Sequence, residues 1–402
     1  MTGPLTVEAA VVGAGPAGLT AAIALAGAGI ETALMARRAP PDHRTSALLT
    51  GSVAALDTLG VWSHCAGSAA PLRVMRIVDA TARLIRAPEV RFVAAEIGLD
   101  AFGHNIENRH LVAALEARAA TIEGLVRIED EAVAVESRGS GATVTLKNGG
   151  SVTARLVVGA DGRRSLCRAA AGIDSRGRSY PQTALTFNLA HTRPHHDTST
   201  EFHTESGPFT LVPLPGNRSS LVCVTGPHDA ERLQSLDDDD ALNAEIEQRS
   251  HSLLGKVTVE PGRGVFPLAV ETVRAFGAGR IALIGEAAHL VPPIGAQGLN
   301  LGLRDAATIG ELAVAARRDG GDIGDDTLLS HYDALRRADV QSRTLAVDLL
   351  NRTLLSDFLP AQSLRGLGLY LLDRVGPLRR AAMREGVAPV MSQPRLMRGE
   401  AL

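Results

Sequence analysis

Two hydrophobic periods alternate along this chain and divide it into elements. VEAAVV, residues 7–12, is a short, mostly apolar run that predicts a buried strand. Pro16 to Ala28 is alanine-rich, opens on a proline and closes at Gly29, which predicts a helix, and Glu31 to Ala36 predicts a second strand. These three make one βαβ half-unit. Ser52 to Leu59, ending at Gly60, reads as a helix, and another follows Asn108 with Leu111, Val112, Leu115 and Ala119 on one face. From Val126 to Val158 the period shortens: EAVAVES and ATVTL, with RGSG between them and KNGG after, predict a β-meander beside the first unit.

Between residues 180 and 270, apolar and polar positions alternate in TALTFNLAHT, GPFTLVPLP and RSSLVCVTG. This predicts a separate antiparallel sheet, with one helix near Asp240 to Leu254. After Arg280 the buried strand IALIG returns, and a helical region runs from Gly298 into a leucine- and arginine-rich tail. The expected organisation is α/β. A discontinuous first domain (1–75, 100–179 and 271–345) is interrupted by a second (76–99 and 180–270) and followed by a helical basic segment (346–402). No internal repeat is present.

Composition narrows the function classes. The 402 residues are 45% hydrophobic and 21% charged, ordinary for a globular protein with a sizeable core. A formal net charge of -3 offers no basic excess to displace counterions, so nucleic acid is not an expected partner. Cys65, Cys167 and Cys223 are odd in number, far apart and form no CxxC pair, and are read as reduced packing residues of a cytoplasmic protein. The start, MTGPLTVEAAVVGAG, lacks a signal peptide's basic and apolar regions, and no apolar run approaches the roughly 20 residues that span a bilayer. The acidic run Asp237 to Asp240 before a helix is read as a solvated, dipole-favoured start rather than a metal site.

One motif carries chemistry by its position. Gly13-Ala-Gly15-Pro-Ala-Gly18 fits G-x-G-x-x-G between the first strand and first helix, where such glycines serve a dinucleotide. Gly13 permits the tight turn, Gly15 lets a pyrophosphate approach, Gly18 packs helix on strand, and N–H groups at the helix start, Ala17 included, face the phosphates. The acid expected at the end of the second strand for the ribose is absent: Ala36 stands there, followed by Arg37 and Arg38. Either another group holds the ribose, or these arginines contact the adenosine or its phosphates, or they are surface residues on a loop.

Two further segments complete a larger pattern. Val158-Gly-Ala-Asp161-Gly162-Arg-Arg-Ser165, and Ile284-Gly285-Glu286-Ala-Ala-His289 followed by PPIGAQGLNLGLRD from Pro292 to Asp305, stand in the same order as in class A flavoprotein monooxygenases. The chain resembles that family, which has the para-hydroxybenzoate hydroxylase fold. The resemblance implies a Rossmann-like FAD/NAD(P)-binding domain with an inserted antiparallel-sheet substrate domain. It implies that Glu286, in place of the usual aspartate, accepts hydrogen bonds from the FAD ribityl chain, and that Gly298, Leu299 and Asn300 open a helix facing the flavin pyrimidine edge. It implies that Arg44 contacts the FAD phosphates, that Arg109 lies near the flavin, and that Asp161 and Gly162 bridge the flavin and pyridine-nucleotide sides.

Within the family the chain is most similar to the ubiquinone-biosynthesis hydroxylases. That likeness is carried by Asn105-Ile-Glu-Asn-Arg109, by the Pro292 to Asp305 run and by LGLYLLDRVGPLRRAAMREG from Leu367 to Gly386. It implies hydroxylation of the ring of a polyprenylated phenol or quinol, with O2 as oxidant, NADPH or NADH as reductant, and hydroxyl transfer from a flavin C4a-hydroperoxide. Catalysis would rest on the flavin rather than a set of side chains; His289 is a weak acid–base candidate, and no metal is expected, since His195-His196 is adjacent and no H-E-x-x-H pair occurs. Phe187, Leu211, Pro213 and Pro293 are candidate pocket residues.

Residues 352 to 402 carry eight arginines against four acids beside leucine-rich turns. That suits an anionic membrane surface, peripheral on the inner membrane, but also packing on the protein or docking of other quinone-biosynthesis enzymes. Alternative readings are a hydroxylase of a soluble aromatic or antibiotic, a flavin-dependent isoprenoid reductase and a non-catalytic flavin-binding scaffold.

Overall fold

A computed structural model describes residues 5–38, 40, 42–81, 86–236, 239–293, 295–355, 368, 370–387 and 393–402. The mostly apolar run ahead of Gly13 forms strand β1 (Leu5–Val12), and the alanine-rich stretch forms helix α1 (Pro16–Gly27), with β2 (Thr32–Met35) beside β1 in parallel. The chain then passes through β3 (Thr45–Leu49), α2 (Thr50–Thr58) and β4 (Ala69–Pro71) before β5 (Val74–Asp79) and β6 (Val90–Val93) leave for a different sheet. It returns as β7 (Gly103–Glu107), α3 (Asn108–Ala119) and β8 (Leu125–Ile128). The predicted meander is β9 (Ala132–Arg138), β10 (Gly141–Leu146) and β11 (Ser151–Gly159). It is not beside the first unit but continuous with it, because β11 pairs parallel with β1 along seven residues. The apolar half of β11, buried on both faces, is what a parallel sheet interior demands.

After α4 (Leu166–Ala170) comes β12 (Ser175–His191), a 17-residue strand that forms the spine of the second sheet. Around it assemble β13 (Thr198–His203), β14 (Pro208–Leu214), β15 (Arg218–Thr225), α5 (Pro227–Gln234), α6 (Asp239–Arg249), β16 (Val257–Val259) and β17 (Gly264–Val273). The alternating pattern announced the strands but not α5, which begins on Pro227 directly after a strand. Asp237 and Asp238 lie outside the described residues. The short strands β18 (Gly277–Ala278), β19 (Ile281–Leu283) and β20 (His289–Leu290) lead into α7 (Gln297–Arg318) and α8 (Asp326–Leu355), and α9 (Gly376–Val387) lies in the tail. Of that tail, residues 356–367, 369 and 388–392 lie outside the described residues.

The first sheet runs β18-β19-β11-β1-β2-β8, the second β20-β17-β12-β15-β14-β13-β5-β6, and a small third sheet is β3-β7-β4. Helices α1 and α7 pack closely because both are small where they meet: a Cβ on Gly310 would stand 3.4 Å from that of Ala24. One face of the second sheet, with Leu185, Phe187, Leu211, Leu221 and Cys223, is covered by Leu233 of α5 and Leu242 and Ile246 of α6. The other face meets β7, where Asn105 donates to Ser220 Oγ at 3.0 Å and Asn188 donates to Glu107 at 3.1 Å.

Candidate flavin site and substrate cleft

The turn between β1 and α1 is shaped by what its glycines exclude. Gly13 has φ +108°, and a Cβ there would stand 2.3 Å from the Ala160 carbonyl oxygen; one on Gly18 would stand 2.0 Å from the Gly13 oxygen. Gly15 differs: nothing lies within 4 Å of where its Cβ would be. Two glycines thus close the packing and the third leaves space in front of a helix end. Gly15 is the N-cap of α1 and offers no side-chain cap, and Pro16 follows, so the first-turn N–H groups of Ala17 and Gly18 point to that space without a side-chain acceptor.

Two more segments arrive at the same place. The turn Gly285–Ala287 carries Gly285 at φ +57°, and a Cβ on Gly302 of α7 would lie 3.2 Å from Gly285 Cα and 3.3 Å from Ala17 Cβ. The start of α1, the 285 turn and the first turns of α7 therefore converge. Glu286 is exposed on this turn, and α7 begins from Ala296 in the left-handed region (φ +55°), again without a side-chain cap. Two uncapped helix N-termini facing an open cradle, with an exposed carboxylate between them, fit a ligand with phosphates at one end and hydroxyls along its length. The amide of Asn300 is turned inward: it accepts from Leu49 N and Ser52 Oγ and donates to the Ala47 and Ala296 carbonyls, tying the helix start to β3 and α2.

A sequence profile of the FAD binding domain family matches residues 6–345. The chain belongs to that FAD-binding family. It is 35% identical over 99% of its length to the ubiquinone hydroxylase UbiL of Rhodospirillum rubrum, covering 95% of that protein. It is 31% identical to the 3-demethoxyubiquinol 3-hydroxylase of Escherichia coli, over 94% of this chain and 97% of that one. Among solved structures, p-nitrophenol 4-monooxygenase PnpA of Pseudomonas putida superposes with a TM-score of 0.78 at 19% identity, covering 95% of this chain and 98% of that one, a likeness of fold. The fold is that of the class A FAD monooxygenases.

In this FAD-binding frame the other candidate residues are distributed unevenly. Arg44 is gripped by Asp42 through Nε at 2.9 Å and Nη2 at 2.7 Å, stacks 5.3 Å from the Phe266 ring centre of the second sheet, and feels the charge of Glu286. Burial pushes the Asp42 carboxyl up, but Arg44 and Asn108 outweigh it and hold it below its usual value. Arg109 pairs with Glu107 at 3.0 Å, and Arg218 of β15 reaches the same carboxylate at 3.4 Å. Arg37 and Arg38 lie on the surface and lean on Glu131 and Glu129, at 3.5 and 3.4 Å. The Ala36 carbonyl, where the ribose acid was expected, accepts from Arg127 at 2.9 Å.

Asp161 serves its own loop: its carboxylate accepts from Ser165 Oγ at 2.5 Å and from Cys167 N at 3.0 Å, so it helps close the start of α4, while Gly162 sits at φ +79° with open space around it. His289 is 3% exposed, with Nε2 2.6 Å from Asp305. Phe187 and Leu211 are in the core beneath α5 and α6, on the face turned away from β7, and Pro213 shares their side of β14. The residues that meet β7 are instead Asn188 and Ser220, one residue out of phase along the strands, with Thr186 and Ala184 further along the same face of β12. Pro293 is exposed. Among the described residues, no three His, Cys, Asp or Glu side chains gather as a metal site, and no helix is long and apolar enough to cross a membrane.

Several residues that organise this site escaped the motif reading: Asp42, Asn105, Glu107, Asn188 and Arg218. Asn105 and Glu107 lie inside a run already singled out for its likeness, but their partners in the second sheet, Pro213, Ser220 and Arg218, are distant in sequence and carry no local signal.

Proposed function

We propose that this chain is an FAD-dependent monooxygenase of ubiquinone biosynthesis that hydroxylates the ring of a polyprenylated phenol or quinol. The observation that carries the reading is the full-length similarity to ubiquinone hydroxylases combined with an open, uncapped cradle built from Gly15, the Gly285 turn and the start of α7. The FAD held there supplies oxygen activation, with O2 and a reductant, NADPH or NADH, as co-substrates.

The chain's own work is binding, orientation and water exclusion. N–H groups of Ala17 and Gly18 face the diphosphate, and Arg44, steered by Asp42, adds positive charge at the same end. Glu286 receives ribityl hydroxyls, and the N-terminus of α7 favours negative charge on the reduced ring. Arg109 and Glu107 brace the second sheet above the cleft, so that its Ala184, Thr186 and Asn188 face forms the ceiling for the aromatic substrate.

Deleting the gene and profiling quinone precursors by mass spectrometry tests this. Accumulation of a prenylated phenol one oxygen short, reversed by the wild type but not by Gly15→Trp, supports the assignment and identifies the ring position. An unchanged quinone pool in a strain without a second hydroxylase overturns it.

The substrate's lipid character calls for contact with a membrane or with neighbouring enzymes of the pathway. Tyr370, Leu371, Val375 and Leu378 are exposed apolar residues interleaved with Arg374 and Arg380, and this supports a peripheral mode on an anionic leaflet. Flotation with anionic liposomes checks it: loss of binding on replacing Leu371 and Leu378 by Ser supports the mode, and absence of flotation by the wild type rejects it.

A further inference from the structure

The largest buried charge cluster in the described chain lies behind the cradle, on α7 and α8. Asp305 is fully buried and accepts three hydrogen bonds: Gly285 N at 2.9 Å, His289 Nε2 at 2.6 Å and Arg336 Nε at 2.6 Å. Arg336 continues to Asp339 at 2.8 Å, which also takes Arg304 at 2.8 Å and Arg343 at 3.2 Å. Arg343 then reaches Gln297 Oε1, in the first turn of α7, at 3.2 Å. Three arginines and two aspartates out of water are a costly way to hold two helices together, since apolar side chains of the same volume would serve stability as well or better. What an apolar core would not supply is a directional bond at each end of the chain of contacts.

Both ends are backbone or side-chain atoms of the cradle. Gly285 lies in the left-handed region with no side chain to select that conformation, and a glycine peptide left alone samples both signs of φ. The Asp305 carboxylate supplies the selection by holding the Gly285 N–H, and this aims the next residue, Glu286. At the other end Arg343 holds Gln297, beside the left-handed Ala296 from which α7 starts.

We infer that Asp305 is a positioning residue for flavin, and that the Arg336–Asp339–Arg343 chain keys the Gly285 turn and the start of α7 to one another, so that the two walls of the cradle keep a common geometry. This rests on the placement of FAD against Glu286 given above. Asp305 does not touch the cofactor; it acts through the peptide that does.

Asp305→Asn keeps the volume and removes the charge. It is expected to weaken FAD, titrated by flavin fluorescence, about ten- to a hundredfold, and to shift the visible absorption maxima of the flavin that remains bound. Leu242→Ala, in the core under α6 and remote from the cradle, serves as the stability control: a comparable loss of melting temperature with unchanged FAD affinity and spectrum. Arg343→Met leaves the three bonds of Asp305 intact and tests the far end, with a smaller loss of affinity and its own spectral shift expected; it also stands in if Asp305→Asn does not fold. Wild-type affinity and spectrum in Asp305→Asn or in Arg343→Met, or equal weakening in Leu242→Ala, overturns the inference. Gly15→Trp and Glu286→Ala separate the two readings: if neither impairs FAD binding, the placement itself is wrong, whereas impairment in both with a normal Asp305→Asn removes the positioning role alone.

Discussion

Asp305 and Glu107 are both carboxylates held by arginines, yet they stand in different kinds of place. Asp305 is enclosed between α7 and α8, and its partner Arg336 is itself buried. Glu107 is buried at the junction of β7 with the second sheet, but its partners Arg109 and Arg218 are 40% and 29% exposed. In the first cluster each charge depends on the others for its counter-ion; in the second, water reaches the arginines and can replace a lost partner. The same chemistry therefore gives a rigid junction between α7 and α8 and a yielding one between β7 and the second sheet.

Truncation should expose that contrast most strongly. Asp305→Ala removes one of the two carboxylates that Arg336 pairs with in the core, leaving Asp339 alone to balance three arginines, and is expected to cost about 3–5 kcal/mol in urea denaturation. Glu107→Ala is expected to cost about 1–2 kcal/mol, because its arginines rehydrate, while lowering turnover of the aromatic substrate and leaving FAD affinity unchanged. Similar losses for the two variants would erase the distinction.

Acid sharpens it further. Burial alone would raise both Asp305 and Asp339, but His289 and Arg336 at Asp305, and Arg336 and Arg304 at Asp339, hold these carboxyls below their ordinary value. Glu107 is lowered too, with burial opposed by Arg218 and Arg109. A depressed folded-state pKa gives stability that is fully present above the unfolded value, about 4, and is lost as pH falls below it toward the folded value. Melting temperature followed from about pH 7 to about pH 3 should therefore drop, and Asp339→Asn should flatten the drop more than Glu107→Gln does. At the bottom of the scale, Arg38→Ala removes only an exposed pair with Glu129, and a change beyond about 0.5 kcal/mol in the same denaturation assay would be unexpected.

Much of the nucleotide-binding half was readable in advance because its signals are local. A glycine in a tight turn, a helix that opens on proline and a short, mostly apolar strand declare themselves within a dozen residues, and Gly13, Pro16 and β1 are found as the pattern implied. The second sheet was readable as an antiparallel sheet with one helix, but not in the roles of its two faces. Alternation separates two faces without saying which one will be covered, and the answer came from α5 and α6, which bury Phe187 and Leu211 and leave Thr186 and Asn188 toward β7. His289 looked chemical in sequence because histidine titrates near neutrality; Asp305, 16 residues on, turned it into a partner of a buried network.

The amino-acid sequence by itself determined the elements, the order of the FAD-binding motifs and the family, since turn chemistry and hydrophobic period act between neighbours. The tertiary structure decided which carboxylates carry arginines, which face of the second sheet meets β7, and how Gly285 is held. Those depend on side chains brought together from far along the chain, where register and burial, rather than local propensity, set the energy.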